Sequence, residues 1–298
     1  MRERIALWKH VYDVDDNAIS KALSKMAWDL AAYSCLVEMV RQSPGKEHQK
    51  HLNGMLLEMA ATGFWSTTLQ GVRRLVEKAP IAGPYGVCSL GGLIQDIRAV
   101  RNRLTRAVYV RGIAGLTYNY EAIKQRRLDY AHARHDAGDH GAFFVPRELN
   151  YEGSERRHAE FDWLSGTTPG TSRQTDLIRM EVFDALEARL IHLEAVAEHV
   201  NVQIAHAATE ASRQGRVLER WGLEDAKTAL MQLAQVSELV GRWFCFSGIG
   251  TVLPVPQYDQ FLHLEKPLFA GDVADLQAVW DGLSEEMGRW HDVDGGDF

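Results

Sequence analysis

Residues 176 to 213 read DLIRMEVFDALEARLIHLEAVAEHVNVQIAHAATEASR, and this run decides the fold. Apolar residues recur at Phe183, Leu186, Leu190, Leu193, Ala197, Val200, Ile204, Ala207 and Ala211. Such alternating three-four spacing holds one buried seam along a helix, so the run predicts a single long helix. A polar stripe of His192, His199, Gln203, His206, Glu210 and Arg213 lies off the seam. Histidines seven apart on a helix are separated by about 10 Å at a rise of about 1.5 Å per residue, too far to share one metal ion.

Outward from this run the pattern is helix after helix. Leu23, Met26, Leu30, Tyr33, Val37 and Val40 define one, with Asp15, Asp16 or Asn17 as its cap and Ser43-Pro44-Gly45 as its stop. A second is expected over Glu47 to Lys78, with Leu52, Met59, Leu69, Val72 and Val76 inward. A third starts at Ser89 as N-cap and turns Leu90, Leu93, Ile94, Ile97, Val100 and Leu104 inward. Another covers Leu223 to Phe246. No strand alternation competes, and the expectation is one all-α domain over residues 1–298, an antiparallel helical bundle.

Two segments break the rhythm. Residues 112–175 carry Gly112, Gly115, Gly138, Gly141, Gly153, Gly166, Pro169 and Gly170, and read as a long irregular insertion whose one helix covers Tyr120 to His135. Gly248 to Tyr258 contains Pro254 and Pro256 and is expected to run extended along the bundle.

With 46% hydrophobic residues, disorder of the whole chain is excluded. The start Met1-Arg2-Glu3-Arg4 has no apolar stretch behind it, and the longest uncharged segment is broken by proline. The expectation is therefore a cytoplasmic protein without a membrane span. Cys35, Cys88 and Cys245 are odd in number and widely spaced, as free thiols are in a reducing compartment.

The net charge of −7 is unevenly spread. Residues 271–298 hold eight acids against Arg289 alone, an acidic segment suited to a protein partner. Residues 97–135 hold eight arginines and Lys124 against Glu121 and Asp129, a basic patch that would draw phosphates or that acidic segment.

Familiar site chemistries are missing. No phosphate-cradling glycine loop and no strand-to-helix nucleophile turn occur, and Asp13-Val-Asp15-Asp16-Asn17 lacks the glycine and distal glutamate of a calcium loop. No metal or cofactor is expected. Cys88 abuts a helix start but reads as an inert thiol.

The run His199-Val-Asn201-Val-Gln-Ile-Ala-His206 resembles the Arg-x4-6-His signature of the HEPN superfamily, in its abortive-infection U-type branch. Short pieces similar to that branch follow in the same order. They are Gly71-Val-Arg73-Arg74-Leu-Val, Ser89-Leu-Gly-Gly-Leu-Ile, Leu104-Thr-Arg106-Ala-Val-Tyr109, Phe161-Asp-Trp-Leu-Ser-Gly166 and Pro254-Val-Pro-Gln-Tyr258.

The resemblance implies a bundle that forms a homodimer and acts on RNA without a metal, in bacterial defence or toxin-antitoxin type systems. Such chemistry needs a group to move the ribose 2′-hydroxyl proton and a cation beside the phosphate. The resemblance gives the first role to His206, with Asn201 to orient phosphate or water and Glu210 to fix the ring. Val200 stands where the family has arginine, so the cation falls to Arg106, Arg73 or Arg74. Arg103, Tyr109, His199 and Gln203 complete the expected substrate surface. The alternative is a catalytically degenerate helical dimer that serves as a protein-interaction module.

Overall fold

The computed structural model describes residues 1–42, 53–138, 141, 144–205, 208–218, 220–264, 266 and 271–290. Every regular element among them is helical. The one bridge of strand type, Thr105 with Leu177, is isolated. Contacts divide the chain into two units, Met1–Pro254 and Val255–Phe298, where the sequence suggests one domain.

The first unit is a helical bundle. Its helices are α1 (Arg2–Lys9), α2 (Ile19–Gln42), α3 (Gly54–Val76), α4 (Leu90–Ala99), α5 (Tyr120–Asp136), α6 (Glu152–Ser165), α7 (Met180–Leu190), α8 (Glu194–His199), α9 (Glu210–Arg213) and α10 (Leu223–Val240). Helix α3 packs on α2, α8 and α10, while α4 packs on α7 and α10 on both α2 and α7. Leu23, Leu75, Leu93, Phe183, Leu233 and Phe244 meet in one core. Each such side chain removed from water contributes roughly 1.5–3 kcal/mol.

Local chemistry fixes the joints. Ser89 accepts a hydrogen bond from the Gly92 N–H at 3.1 Å and so caps α4, as expected. The following glycines let α4 start against the end of α3, because a Cβ on Gly91 would lie 2.4 Å from the Val76 carbonyl oxygen. Asp96 of α4 accepts from Trp8 Nε1 at 2.7 Å and from two nitrogens of Arg4 at 2.9 Å, which locks α1 onto α4. Tyr12 donates to the Ser237 carbonyl at 3.1 Å and crosses α10 where a Cβ on Gly241 would come within 2.1 Å of its hydroxyl.

Several expectations need correction. The long helix expected over residues 176–213 is helical without a gap from Met180 to Ala205, as α7, a 3-10 turn at Ile191–Leu193, α8 and a π turn at Val200–Ala205, but residues 176–179 lie outside it and Ala208 and Thr209 are non-helical before α9. Its seam holds through Val200, with Phe183, Leu186, Leu190, Leu193 and Val200 buried, but Ala211 is exposed and Ala207 lies outside the described residues. The residues 112–175 are not one loop around a single helix. Helix α5 matches expectation, but α6 was not anticipated and sends Phe161 and Leu164 into the core.

The inward faces of α2 and α3 are also shorter than their patterns suggest. Val37 and Met59 are exposed, and Leu52 lies outside the described residues. There Tyr33 stacks on Phe64 at 4.1 Å, with Trp65 and Trp221 edge-on beside them. The extended segment does pack on the bundle through Ile249 and Val252, but beyond Pro254 the chain belongs to the second unit. That unit carries one more helix, α11 (Val273–Gly288), within the acidic segment.

No described helix is long and apolar enough to cross a membrane.

Candidate functional site

Arg106 is the most confined of the expected site residues. Its side chain is 0% exposed, and its guanidinium lies 2.5 Å from an Asp162 oxygen and 3.2 Å from an Asp176 oxygen. It also donates to the His158 carbonyl at 3.2 Å and sits over the Phe161 ring. The position follows from α6, whose buried face supplies Phe161 and whose next residue is Asp162. Two carboxylates around one buried guanidinium leave no net positive charge for a phosphate, so Arg106 ties α6 to the entry of α7. The expected role of Arg106 as a catalytic cation is corrected accordingly.

Tyr109 is removed from any substrate surface too. It is fully buried and donates to Glu160 at 2.7 Å, and burial holds its phenol well above the ordinary value despite nearby Arg157. Arg157 stacks 3.6 Å over the Tyr109 ring and bonds Glu160 and the Arg242 and Trp243 carbonyls. Burial lowers the pKa of this arginine. These contacts form a second interior ion-pair knot, between α6 and the π turn Gly241–Cys245.

The basic patch of residues 97–135 is largely consumed in the same way. Arg98 pairs with Asp184 and Glu187, Lys124 with Glu155, Arg127 with Glu152, and Arg101 bonds the Ile178 carbonyl. Arg111 lies over the Tyr118 ring. Arg103 remains exposed.

The packing of α3 beside α8 brings two expected residues together. Arg73, in the last turn of α3, donates its Nε to Asn201 Oδ1 at 2.6 Å, across the start of the π turn Val200–Ala205. Both residues are half-buried. The two terminal amino groups of Arg73 donate to no acceptor among the described residues. Arg73 and Asn201 line a small pocket of about 180 Å³ with Glu77, Lys78, Glu194 and Ala197. Lys78 and Glu194 pair at 2.8 Å, so the lining is balanced in charge and offers local donors rather than a long-range field. Val200, immediately before Asn201, is 1% exposed and belongs to the core, where a charged side chain without a partner would be costly.

The remaining candidates scatter. Arg74 donates to the Asn17 carbonyl at 2.8 Å. His199 is half-buried, its Nδ1 accepts from the Leu218 N–H at 3.1 Å, and burial lowers its pKa from the ordinary 6.5. Gln203 is exposed and accepts from Arg213 at 3.4 Å. Glu210 opens α9 after the non-helical Ala208 and Thr209, so it does not stand one turn on along the same helix as expected. His206 lies outside the described residues.

One histidine escaped the sequence reading. His158 of α6 is half-buried, with its ring edge-on to Tyr118 at 4.6 Å. Because a carbonyl only accepts, its Nε2 carries the proton donated to the Tyr118 oxygen at 2.8 Å, and Nδ1 is the acceptor of the neutral ring. Burial lowers its pKa, and it lines a pocket of about 550 Å³ with Arg106, Arg111, Tyr118 and Tyr120. Only the alternation of α6, obscured by its polar composition, pointed there.

Compared with protein-family models, curated proteins and solved structures, the chain matches none. Among the described residues no cluster of three or more histidine, cysteine or acidic side chains is arranged to hold a metal ion.

Proposed function

We propose that this chain is an RNA-directed, metal-independent protein of a bacterial defence or toxin-antitoxin type, HEPN-like and acting as a cytoplasmic homodimer, in which Arg73 and Asn201 grip the phosphate backbone. The observation that carries this reading is the hydrogen bond from Arg73 Nε to Asn201, which orients the guanidinium while its terminal amino groups meet no acceptor among the described residues. A fork held in place loses less conformational freedom on meeting two phosphate oxygens than a free side chain does.

This arrangement also gives physical sense to the valine in the family-like run. With Val200 committed to the core, the cation comes from the neighbouring helix instead. His206 is the proposed acid or base.

The test is incubation with single-stranded RNA and with tRNA, following both retention and integrity, for wild type, Arg73→Ala, Asn201→Ala and His206→Ala. The reading expects binding that Arg73→Ala and Asn201→Ala weaken about tenfold or more, the size of one charge-assisted contact. Wild type that neither retains nor cuts RNA would overturn it.

A second reading, a non-catalytic interaction module, is favoured by a separate observation: the exposed apolar stripe of α11.

A further inference from the structure

The chain enters α5 through Tyr118-Asn119-Tyr120-Glu121, and these residues line the pocket of about 550 Å³ that also holds His158 of α6. A volume of that size is ordinary for a small-molecule site. Its other wall, the loop before α7, is pinned from behind. Ser172 donates to Asp162 at 2.8 Å, the Arg173 N–H to Asp176 at 2.7 Å, and the Ala107 N–H to the Gln174 carbonyl at 3.2 Å. The pocket is therefore built by the fold itself and needs no ligand to shape it.

The lining offers rings and polar edges together. Tyr118 and His158 lie 4.6 Å apart and Tyr120 and His158 5.2 Å apart, centroid to centroid. Arg111 already sits over the Tyr118 ring. Tyr120 differs: its contact with His158 is tilted by 50°, and among the described residues no ring or cation stacks flat on it. That ring is the place for a planar ligand to stack.

Charge and hydrogen bonding narrow the ligand. Arg106 and Arg111 are balanced by Asp162 and Glu121, with Asp176 behind Arg106, so a free anion gains no net attraction. A cation would compete with Arg111 for the face of Tyr118. A neutral ring fits best. Arg106 and Asp162 are committed to each other, and Asp162 also to Ser172. Two acceptors are left: the Glu121 carboxylate and His158 Nδ1, to which no described group donates. Burial and nearby Arg106 favour the neutral imidazole, which keeps Nδ1 an acceptor. Such a pair calls for a ligand that donates from its edge, as the exocyclic amines of adenine, guanine and cytosine do. The amides of Asn119 and Gln174, on the same lining, suit the ring nitrogens and carbonyls beside those amines.

We infer that this pocket binds an amino-bearing nucleobase, stacked on Tyr120 and held at its edge by Glu121 and His158. The base comes from a free nucleoside or from an unpaired position in an RNA strand. The inference does not rest on the Arg73–Asn201 reading, since it uses neither residue, and Arg73→Ala should leave nucleoside binding unchanged.

Calorimetric titration of the full chain with adenosine, guanosine, cytidine, uridine and AMP tests it. The three amino-bearing nucleosides should bind, uridine about tenfold more weakly, and AMP no better than adenosine. Tyr120→Leu, with circular dichroism to confirm that the bundle persists, should weaken adenosine about tenfold through lost stacking. Glu121→Gln should narrow the gap between adenosine and uridine. Competition with a single-stranded RNA separates the sources: RNA that displaces adenosine places the strand's base in the pocket, and RNA that does not leaves the free nucleoside as the ligand. No nucleoside bound at about 1 mM, uridine as tight as the other three, AMP about tenfold tighter than adenosine, or Tyr120→Leu binding like wild type would each overturn the inference.

Discussion

Replacing Arg106 by alanine should destabilise the fold rather than disable a site. The side chain is fully buried between Asp162 and Asp176, and both carboxylates are themselves largely shielded, at 17% and 18% exposed. Removing the guanidinium leaves two close negative charges with no counterion and empties the space against Phe161. Breaking a buried pair from one side costs about 3–5 kcal/mol, and for a bundle of this size each kcal/mol shifts the midpoint by roughly 2–4 °C. The expected fall in Tm is therefore on the order of 10 °C, read by circular dichroism at 222 nm and by urea titration. Arg106→Met should be milder, because it keeps the packing while losing the charge. The triple change Arg106→Met, Asp162→Asn, Asp176→Asn should recover part of the loss, since it leaves no unpaired charge. An Arg106→Ala protein that melts like wild type would refute the interior placement of this residue and return it to the list of candidate cations.

Four further outcomes follow from other contacts. Gly241→Ala drives a methyl into the Tyr12 hydroxyl, 2.1 Å away, and should destabilise by about 1–3 kcal/mol in urea unfolding. Ser89→Ala removes the cap of α4 and should cost about 1 kcal/mol in the same assay. His199 and His158 both have pKa values lowered by burial from 6.5, so the unfolded chain binds more protons than the folded one just below that value. Their unprotonated state is fully compatible with the fold above pH 6.5. Stability should decline as pH drops through 6.5 towards the lowered folded values, and the urea midpoint in the paired variant His158→Gln, His199→Gln should depend less on pH in that window. Native protein should react with a thiol reagent fastest at exposed Cys35 and least at buried Cys245, whose thiol burial pushes up to about 12.

The parts of this fold that were legible are those whose buried face is aliphatic. Leu90, Leu93, Ile94 and Ile97 announce α4 and all four are buried, and the seam of residues 183–200 survives even where the winding changes at the 3-10 turn Ile191–Leu193. Helix α6 escaped because its inward positions Ser154, Arg157, Phe161 and Leu164 have helical spacing with only two apolar members. The arginine among them is satisfied by Glu160 and by carbonyls far along the chain, which no local pattern reports. The same blindness affected the site. Arginine clustering in residues 97–135 looked like a surface field, but the partners Asp162, Asp176, Asp184 and Glu187 arrive from later elements. Asn201 was identified as a polar residue within a family-like run. That Arg73 would reach it depends on how α3 and α8 pack, over a separation of 128 residues.

The most direct test of the functional account is a double-mutant cycle on RNA affinity, using Arg73→Ala, Asn201→Ala and the combined variant, with fluorescence anisotropy on a single-stranded RNA at several salt concentrations. If Asn201 acts by orienting the Arg73 guanidinium, each single change weakens binding about tenfold, the combined change weakens it little further, and the salt slope falls by about one wherever Arg73 is lost. Losses that simply add, or an affinity and salt slope untouched by Arg73→Ala, would contradict the account.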